Sequence, residues 1–267
     1  VMTIHGLSFL HAPTDPHYVK KVLILRRKIH VVSAIITVSK WAKRDIIRFF
    51  KVKPDKVKVI YNCVDRKIFN ERKHEYDDAI LKTLGINKPY ILHVSGGDRT
   101  KNIEYIIKAL KDITVKELRL VLVGITSQNL SRIINYARSH GVMNRIKILR
   151  PIYNDAILAA LYRNALAFVM PSLHESCPFA LLEAMSCGTP CIVSKHAALP
   201  EIAGDAALYI DTSQPLDLAN TVVDLYRGKY ELFNKRGIDR VNTYFNIKQF
   251  VKKHIAVYEE VLTQGAS

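Results

Sequence analysis

The sequence predicts an α/β protein: a doubly wound parallel sheet makes up its larger part, and a partial Rossmann-like unit precedes it. Three observations predict this. From residue 88 onward, short β-branched runs alternate with longer stretches of helical periodicity, the pattern of βαβ units in a parallel sheet. Each run is mostly apolar rather than alternating, as a strand covered on both faces must be. The runs end in small or polar residues, Gly96-Gly97, Gly124, Pro171-Ser172 and Ser194-Lys195, which leaves room beyond the carboxyl edge, where such sheets bind ligands.

In chain order, the strands of the larger unit are read at residues 90–95, 118–123, 146–149, 165–170, 191–194 and 207–210. Helical periodicity falls at 103–111, 130–140, 155–163, 179–186 and 215–227, with a shorter turn around Leu199. Ahead of these, residues 1–70 hold strands at 1–4, 34–38 and 57–61 and one basic helix. That is too little for a complete domain, so we expect an N-terminally truncated unit here. Residues 71–87 then read as a charged linker, 88–245 as the main domain, and 246–267 as a C-terminal helix packing back across the junction. In that helix, Phe250, Val251, Ile255, Tyr258 and Leu262 are read as one apolar stripe.

A chain of 267 residues with 49% apolar content can bury one full core and has room for two. No stretch reaches the roughly 18–20 uninterrupted apolar residues of a membrane-spanning helix, and the start lacks the regions of a signal peptide; a cytoplasmic location is expected. The four cysteines, Cys63, Cys177, Cys187 and Cys191, contain no C-x-x-C pair and read as reduced thiols. Their spacings fit no zinc template, and no metal is expected.

Forty Lys and Arg against 24 Asp and Glu give a formal charge of +16 and an isoelectric point near 9.7. Charge selects the sign of a partner and not its identity, so nucleic acid, an anionic membrane surface and a phosphorylated substrate all satisfy it. No helix-turn-helix, RNP or zinc-finger pattern accompanies the charge, so no nucleic acid partner is expected. Lys20, Lys21, Arg26, Arg27 and Lys28 are interleaved with Val22, Leu23, Ile24, Leu25 and Ile29. That pattern suits either a basic amphipathic helix on an anionic bilayer or a solvated helix face.

The most informative segment runs from Pro171 to Pro190 and carries two carboxylates, Glu175 and Glu183, eight residues apart. Glu175 falls in the loop after the 165–170 strand and Glu183 about a turn into the next helix, so both are expected to face one crevice. Ser176 or Cys177 would be the N-cap, with Pro178 at the first helical position, where its missing N–H costs nothing. The amides of Phe179 and Ala180 are then free to meet an anion at the positive end of the helix. Glu183 would accept hydrogen bonds from ribose hydroxyls, as acidic residues do in dinucleotide sites. An isolated pair of glutamates at this spacing would be read as ordinary surface acids; their surroundings give them weight.

Those surroundings resemble the retaining GT-B glycosyltransferases of family 4, whose second domain carries a strand, Pro-Ser, Glu-x7-Glu and Ala-Met-x-Cys-Gly-x-Pro. The resemblance extends over nearly the whole chain, through Thr3-Ile-His5-Gly6, Thr37-Val-Ser39, Asn62-Cys63-Val64-Asp65, residues 94–102 and residues 120–124. It implies transfer of a hexose from a UDP- or GDP-sugar to an acceptor hydroxyl, with retention of configuration and without a metal or other cofactor. Glu175, Lys101 and His5 would be the catalytic residues. Glu175 would contact hydroxyls of the donor sugar, and Lys101 would neutralise charge on the departing diphosphate. His5 would lie near the sugar across the cleft; taken alone, a histidine at a strand end is as readily a capped structural residue. The donor-contacting set would be Gly96, Gly97, Arg99, Lys101, Gly124, Ser176, Cys177, Pro178, Phe179, Ala180, Leu182 and Glu183. The chain departs from the family pattern in three places. Arg99 lies closer to Lys101 than usual, Cys63 replaces a glycine, and Cys177-Pro178 replaces Phe-Gly.

The expected partners are the nucleotide-sugar donor, a glycan or glycolipid acceptor and an anionic membrane surface. The first 70 residues would form the acceptor side and residues 88–245 the nucleotide-sugar-binding domain. A non-catalytic nucleotide-sugar-binding or regulatory module is the alternative reading, and a nucleic-acid-binding protein ranks behind both.

Overall fold

A computed structural model describes residues 1–7, 10, 18–230 and 232–265. The strands fall into two wholly parallel sheets. The first has three strands, β1 (Met2–Ile4), β2 (Ile35–Thr37) and β3 (Val57–Val59), in that spatial order. Among the described residues, the helices α1 (Tyr18–Val31) and α2 (Lys40–Phe50) lie between them. Successive strand residues point to opposite faces. Ile35 therefore packs with Ile4, Ile29, Ile46 and Phe50 on one side, while Ile36 joins Ala34 and Ile60 on the other.

The second sheet contains β4 (Tyr90–Val94), β5 (Arg119–Val123), β6 (Ile146–Leu149), β7 (Ala167–Met170), β8 (Cys191–Ser194) and β9 (Ala207–Ile210). Their order is β6-β5-β4-β7-β8-β9. The chain winds outward from β4 in one direction, then returns to start β7 on the other side of β4. This is the doubly wound Rossmann order, and its switch point lies between β4 and β7. Alternation again makes two cores. Tyr90, Leu92, Phe168, Met170 and Val193 face one side, and Ile91, Ala167, Val169 and Ile192 face the other. The second side is covered by α4 (Ile103–Asp112), α5 (Ser127–Ser139) and α9 (Pro215–Tyr226). The first is covered by α3 (Asp77–Thr83), α6 (Asp155–Asn164), α7 (Phe179–Ser186), α8 (Leu199–Ala203) and α10 (Leu232–Tyr244).

Several elements go beyond the sequence expectation. The segment 71–87, read as linker, includes α3, and its Leu81 and Ile86 join the main core. Asp77 at the start of α3 is buried against Arg163 of α6, with Arg163 Nη2 to Asp77 Oδ1 at 2.7 Å and Nε to Oδ2 at 2.9 Å. Burial pushes the Asp77 carboxyl up, but the Arg163 guanidinium outweighs it and holds the group below the usual carboxylate range. The helices α2 and α10 were likewise not anticipated. Gly237 lets α10 lie against α7: a Cβ there would stand 3.3 Å from the Met185 backbone and side chain.

The last helix, α11 (Ile247–Gly265), packs onto the first sheet, but of the expected stripe only Phe250 takes part. Val257 is buried there, with Phe250 and Val261 packed alongside; Val251, Ile255, Tyr258 and Leu262 face solvent. The helix carries apolar residues on two ridges, and only the one containing positions 250, 257 and 261 meets the sheet. Among the described residues, no helix is long and apolar enough to cross a membrane.

Candidate donor site at the switch point

The loops leaving β4 and β7 meet at the switch point. The first turns through Gly96 and Gly97 into a 3-10 turn at Arg99–Lys101, capped by the Asp98 side chain on the Thr100 amide. The second runs from Pro171 to Pro178. They are stitched together by the Leu173 amide on the Thr100 carbonyl at 2.7 Å and by Asn102 Nδ2 on the Pro171 carbonyl at 3.3 Å. Lys101 Nζ donates to Glu175 Oε1 at 2.8 Å, so two residues 74 positions apart form an ion pair at the mouth of the sheet. Glu175 is 8% exposed. With little water around it, the pair is electrostatically stronger than one on the open surface.

The helix after this loop begins one residue later than the sequence suggested. Pro178 itself is the N-cap, extended at φ −73° and ψ 126°, and α7 starts at Phe179 with no side-chain cap. A proline cannot cap with its side chain, so the first-turn amides at Phe179 and Ala180 lie at the positive end of an uncapped helix. Phe179 is exposed and Ala180 partly so. Leu182 is fully buried in the core. Cys177 is buried, its carbonyl accepts from Asn62 Nδ2 at 2.8 Å, and burial pushes its thiol up to about 12.

Glu183 takes a different partner from Glu175. Its Oε2 accepts from the Tyr162 hydroxyl of α6 at 2.9 Å. Burial raises the Glu183 carboxyl to about 7, against the opposing pull of that hydrogen bond. Glu175 is thus drawn toward Lys101 and Glu183 toward Tyr162. Ser176 faces the first sheet: a Cβ on Gly6 would come within 2.3 Å of Ser176 Oγ. His5, exposed beside Gly6 at the end of β1, is carried to the same edge.

The glycines after β4 and β5 shape the loops by backbone. Gly96 presents its carbonyl to Thr126 and to Asn129 Nδ2. Gly97, at φ +79°, is buried against Ile125 and Ile133. Gly124, at φ +90°, passes so close to Ser95 that a Cβ would lie 3.2 Å from its carbonyl oxygen. Arg99 is exposed on the 3-10 turn. Sequence reasoning missed Arg132, which donates to the Gly97 carbonyl and pairs with Glu104. Burial, and then the nearby Arg99, lower its pKa. It also missed Glu201 and Tyr162, because each reaches the site from a remote element. The four cysteines are free thiols, and among the described residues no group of three or more His, Cys, Asp or Glu is placed to hold a metal.

A Rossmann-type sheet facing a smaller parallel sheet, with the loops of both turned to one edge, is the GT-B arrangement, and solved structures share it. The chain superposes on the Anabaena protein Alr3699/HepE, solved in complex with UDP-glucose, with a TM-score of 0.84 at 17% identity, over 97% of this chain and 72% of that one. In sequence it is 24% identical over 270 residues to the N-acetyl-alpha-D-glucosaminyl L-malate synthase of Bacillus anthracis, covering 98% of this chain and 68% of that protein. It is 30% identical over 171 residues to an uncharacterized glycosyltransferase of Methanocaldococcus jannaschii, covering 63% of this chain and 44% of that protein. Residues 78–238 match the family described as Glycosyl transferases group 1, and residues 1–67 the one described as Glycosyltransferase Family 4. The chain therefore belongs to the group 1 glycosyl transferases. It spans between about two fifths and two thirds of the length of these two relatives.

Proposed function

We propose that the protein transfers a hexose from a UDP- or GDP-sugar to an acceptor hydroxyl, with retention of configuration and without a metal. The observation that carries this reading is the Lys101–Glu175 pair at the switch point, beside the uncapped start of α7. A diphosphate set there meets a fixed ammonium and unpartnered amides, the groups that stabilise charge developing on a leaving phosphate. Glu175 then turns to the sugar hydroxyls and Glu183 to the ribose, while His5 approaches from the first sheet. The UDP-glucose of the Anabaena structure supports a nucleotide-sugar donor of this kind.

The acceptor is a glycan or glycolipid, and the reaction runs in the cytoplasm at the inner membrane face. The support is α1, which exposes Val19, Leu23 and Ile24 among Lys20, Arg26, Arg27 and Lys28, a surface suited to an anionic bilayer. Flotation with liposomes that is indifferent to anionic lipid removes the membrane part of the reading.

A thermal-shift and calorimetric screen of UDP, GDP, ADP and their sugar conjugates tests the donor. A ligand at a hundredfold excess over its Kd raises the stability of the folded state by about 2.7 kcal/mol, and one nucleotide and its conjugate are expected to do so. If none shifts the melting midpoint, the reading fails.

A further inference from the structure

Glu201 lies outside the pair of acids read from the sequence, and its carboxylate serves the other half of the molecule. Oε1 accepts the Lys40 amide at 2.6 Å and the Tyr61 hydroxyl at 2.9 Å, and Oε2 accepts the Trp41 amide at 2.9 Å. Lys40 and Trp41 open α2, and the next amide, Ala42, is taken by Ser39 Oγ at 3.1 Å. A helix start has unpartnered amides and partial positive charge. At α2 they are satisfied from both domains: a serine on its own chain segment and a carboxylate from across the boundary. Glu201 is itself held from behind. Arg240 donates from Nη2 to the Glu201 carbonyl at 2.7 Å and from Nε to the Ile202 carbonyl at 2.5 Å.

Two further contacts connect α2 to the loop of Glu175. The Trp41 ring meets His174 edge-on with centroids 4.8 Å apart, and His174 immediately precedes Glu175. The Glu175 carbonyl in turn accepts the Ala198 amide at 3.2 Å, three residues before Glu201. The path from Glu201 through Trp41, His174, Glu175 and Ala198 back to Glu201 crosses the domain boundary and closes on itself.

From this circuit we infer that Glu201 is a positioning residue for sugar transfer: by capping α2 from the other domain, it seats Trp41 against His174 and holds Glu175 where the donor sugar is engaged. This inference rests on the donor-site reading above. A displacement of about 1 Å at a reacting group costs on the order of a hundredfold in rate, so a contact removed from the chemistry still shows in turnover.

Trp41 is the single tryptophan of the chain, and its emission reports on this contact directly. The test compares the full chain with Glu201→Gln, which keeps the side chain's size but leaves one accepting oxygen for three donors. Nucleotide-sugar addition is expected to change Trp41 emission in the wild type and to change it far less in the variant. Turnover should fall roughly 10- to 100-fold in Glu201→Gln, with affinity for the bare nucleoside diphosphate unchanged. Tyr61→Phe, which removes one of the three donors, should lower turnover by a few fold and carries the same test if Glu201→Gln does not fold. Wild-type turnover and a wild-type Trp41 response in the variants would overturn the inference. So would a loss of diphosphate affinity in proportion to the loss of turnover, since that marks a merely structural role. A wild-type chain that binds no nucleotide sugar removes the donor reading and this inference together; one that binds it normally while Glu201→Gln is indistinguishable removes only the inference.

Discussion

Lys101 Nζ and Glu175 Oε1 stand 2.8 Å apart and join the loops of β4 and β7 where the strand order reverses. Each charge neutralises the other in a partly dehydrated place. On the donor reading proposed above, an arriving diphosphate would offer the lysine a second anion and release the carboxylate to the sugar hydroxyls.

Lys101→Ala and Glu175→Gln are each expected to lower sugar transfer by about two to three orders of magnitude, the usual cost of removing one group that stabilises transition-state charge. Their unfolding free energies should fall by about 1–3 kcal/mol, less than for a fully buried pair because the Lys101 side chain is 23% exposed. Initial rates with a labelled donor, alongside urea melts, check both halves. Undiminished transfer by either variant contradicts the assignment.

Glu183 sets a pH dependence. Its carboxyl titrates near 7 in the folded protein against an ordinary 4.5, so between those values the native state holds a proton that the unfolded chain has lost. Stability therefore falls as pH rises through that window. At about 1.4 kcal/mol per pH unit, that window is worth on the order of 3 kcal/mol. Glu183→Gln should flatten the curve of unfolding free energy against pH between 4.5 and 7. Identical slopes for the two proteins would show that the carboxylate is already ionised in the fold.

Asp77→Ala should cost about 3–5 kcal/mol, because it strands the Arg163 guanidinium in a site where the two side chains are only 4% and 2% exposed. Chemical denaturation measures it. A loss below about 1 kcal/mol would mean that α3 is not anchored through this pair.

Gly97→Ala should destabilise by about 1–3 kcal/mol. Its φ of +79° is one that side-chain-bearing residues rarely adopt, and the new Cβ would sit 3.0 Å from Ile133 Cδ1 and 3.1 Å from Ile125 Cδ1. A melting temperature at or above that of the wild type refutes this account of the loop.

Most of the second sheet was legible because its strands are buried on both faces, so their apolar runs announce them without reference to neighbours. The strands β6, β8 and β9 fall on the residues expected, and the helix α7 starts within one residue of its expected cap. The helix α3 was hidden by its charge, because the pattern of residues 71–87 does not reveal that Asp77 is neutralised by an arginine 86 positions later. The helix α11 was read on the wrong ridge, since periodicity shows that a helix has apolar rows but not which row meets a sheet. At the site, Glu175, Lys101 and the start of α7 were visible as a motif. Arg132 and Glu201 were not, because neither has a local signature.

The order of the apolar runs and the punctuation between them determined, from sequence alone, that this is a doubly wound α/β protein, which follows from local burial; the candidate site near Glu175 rested on helix-end chemistry together with the resemblance to family 4. Only the tertiary structure decided which charged groups meet. Lys101 pairs with Glu175, Tyr162 with Glu183 and the start of α2 with Glu201. Ion pairs and hydrogen bonds depend on distances of a few ångströms between residues far apart in the chain, and those distances exist only once the sheets have closed.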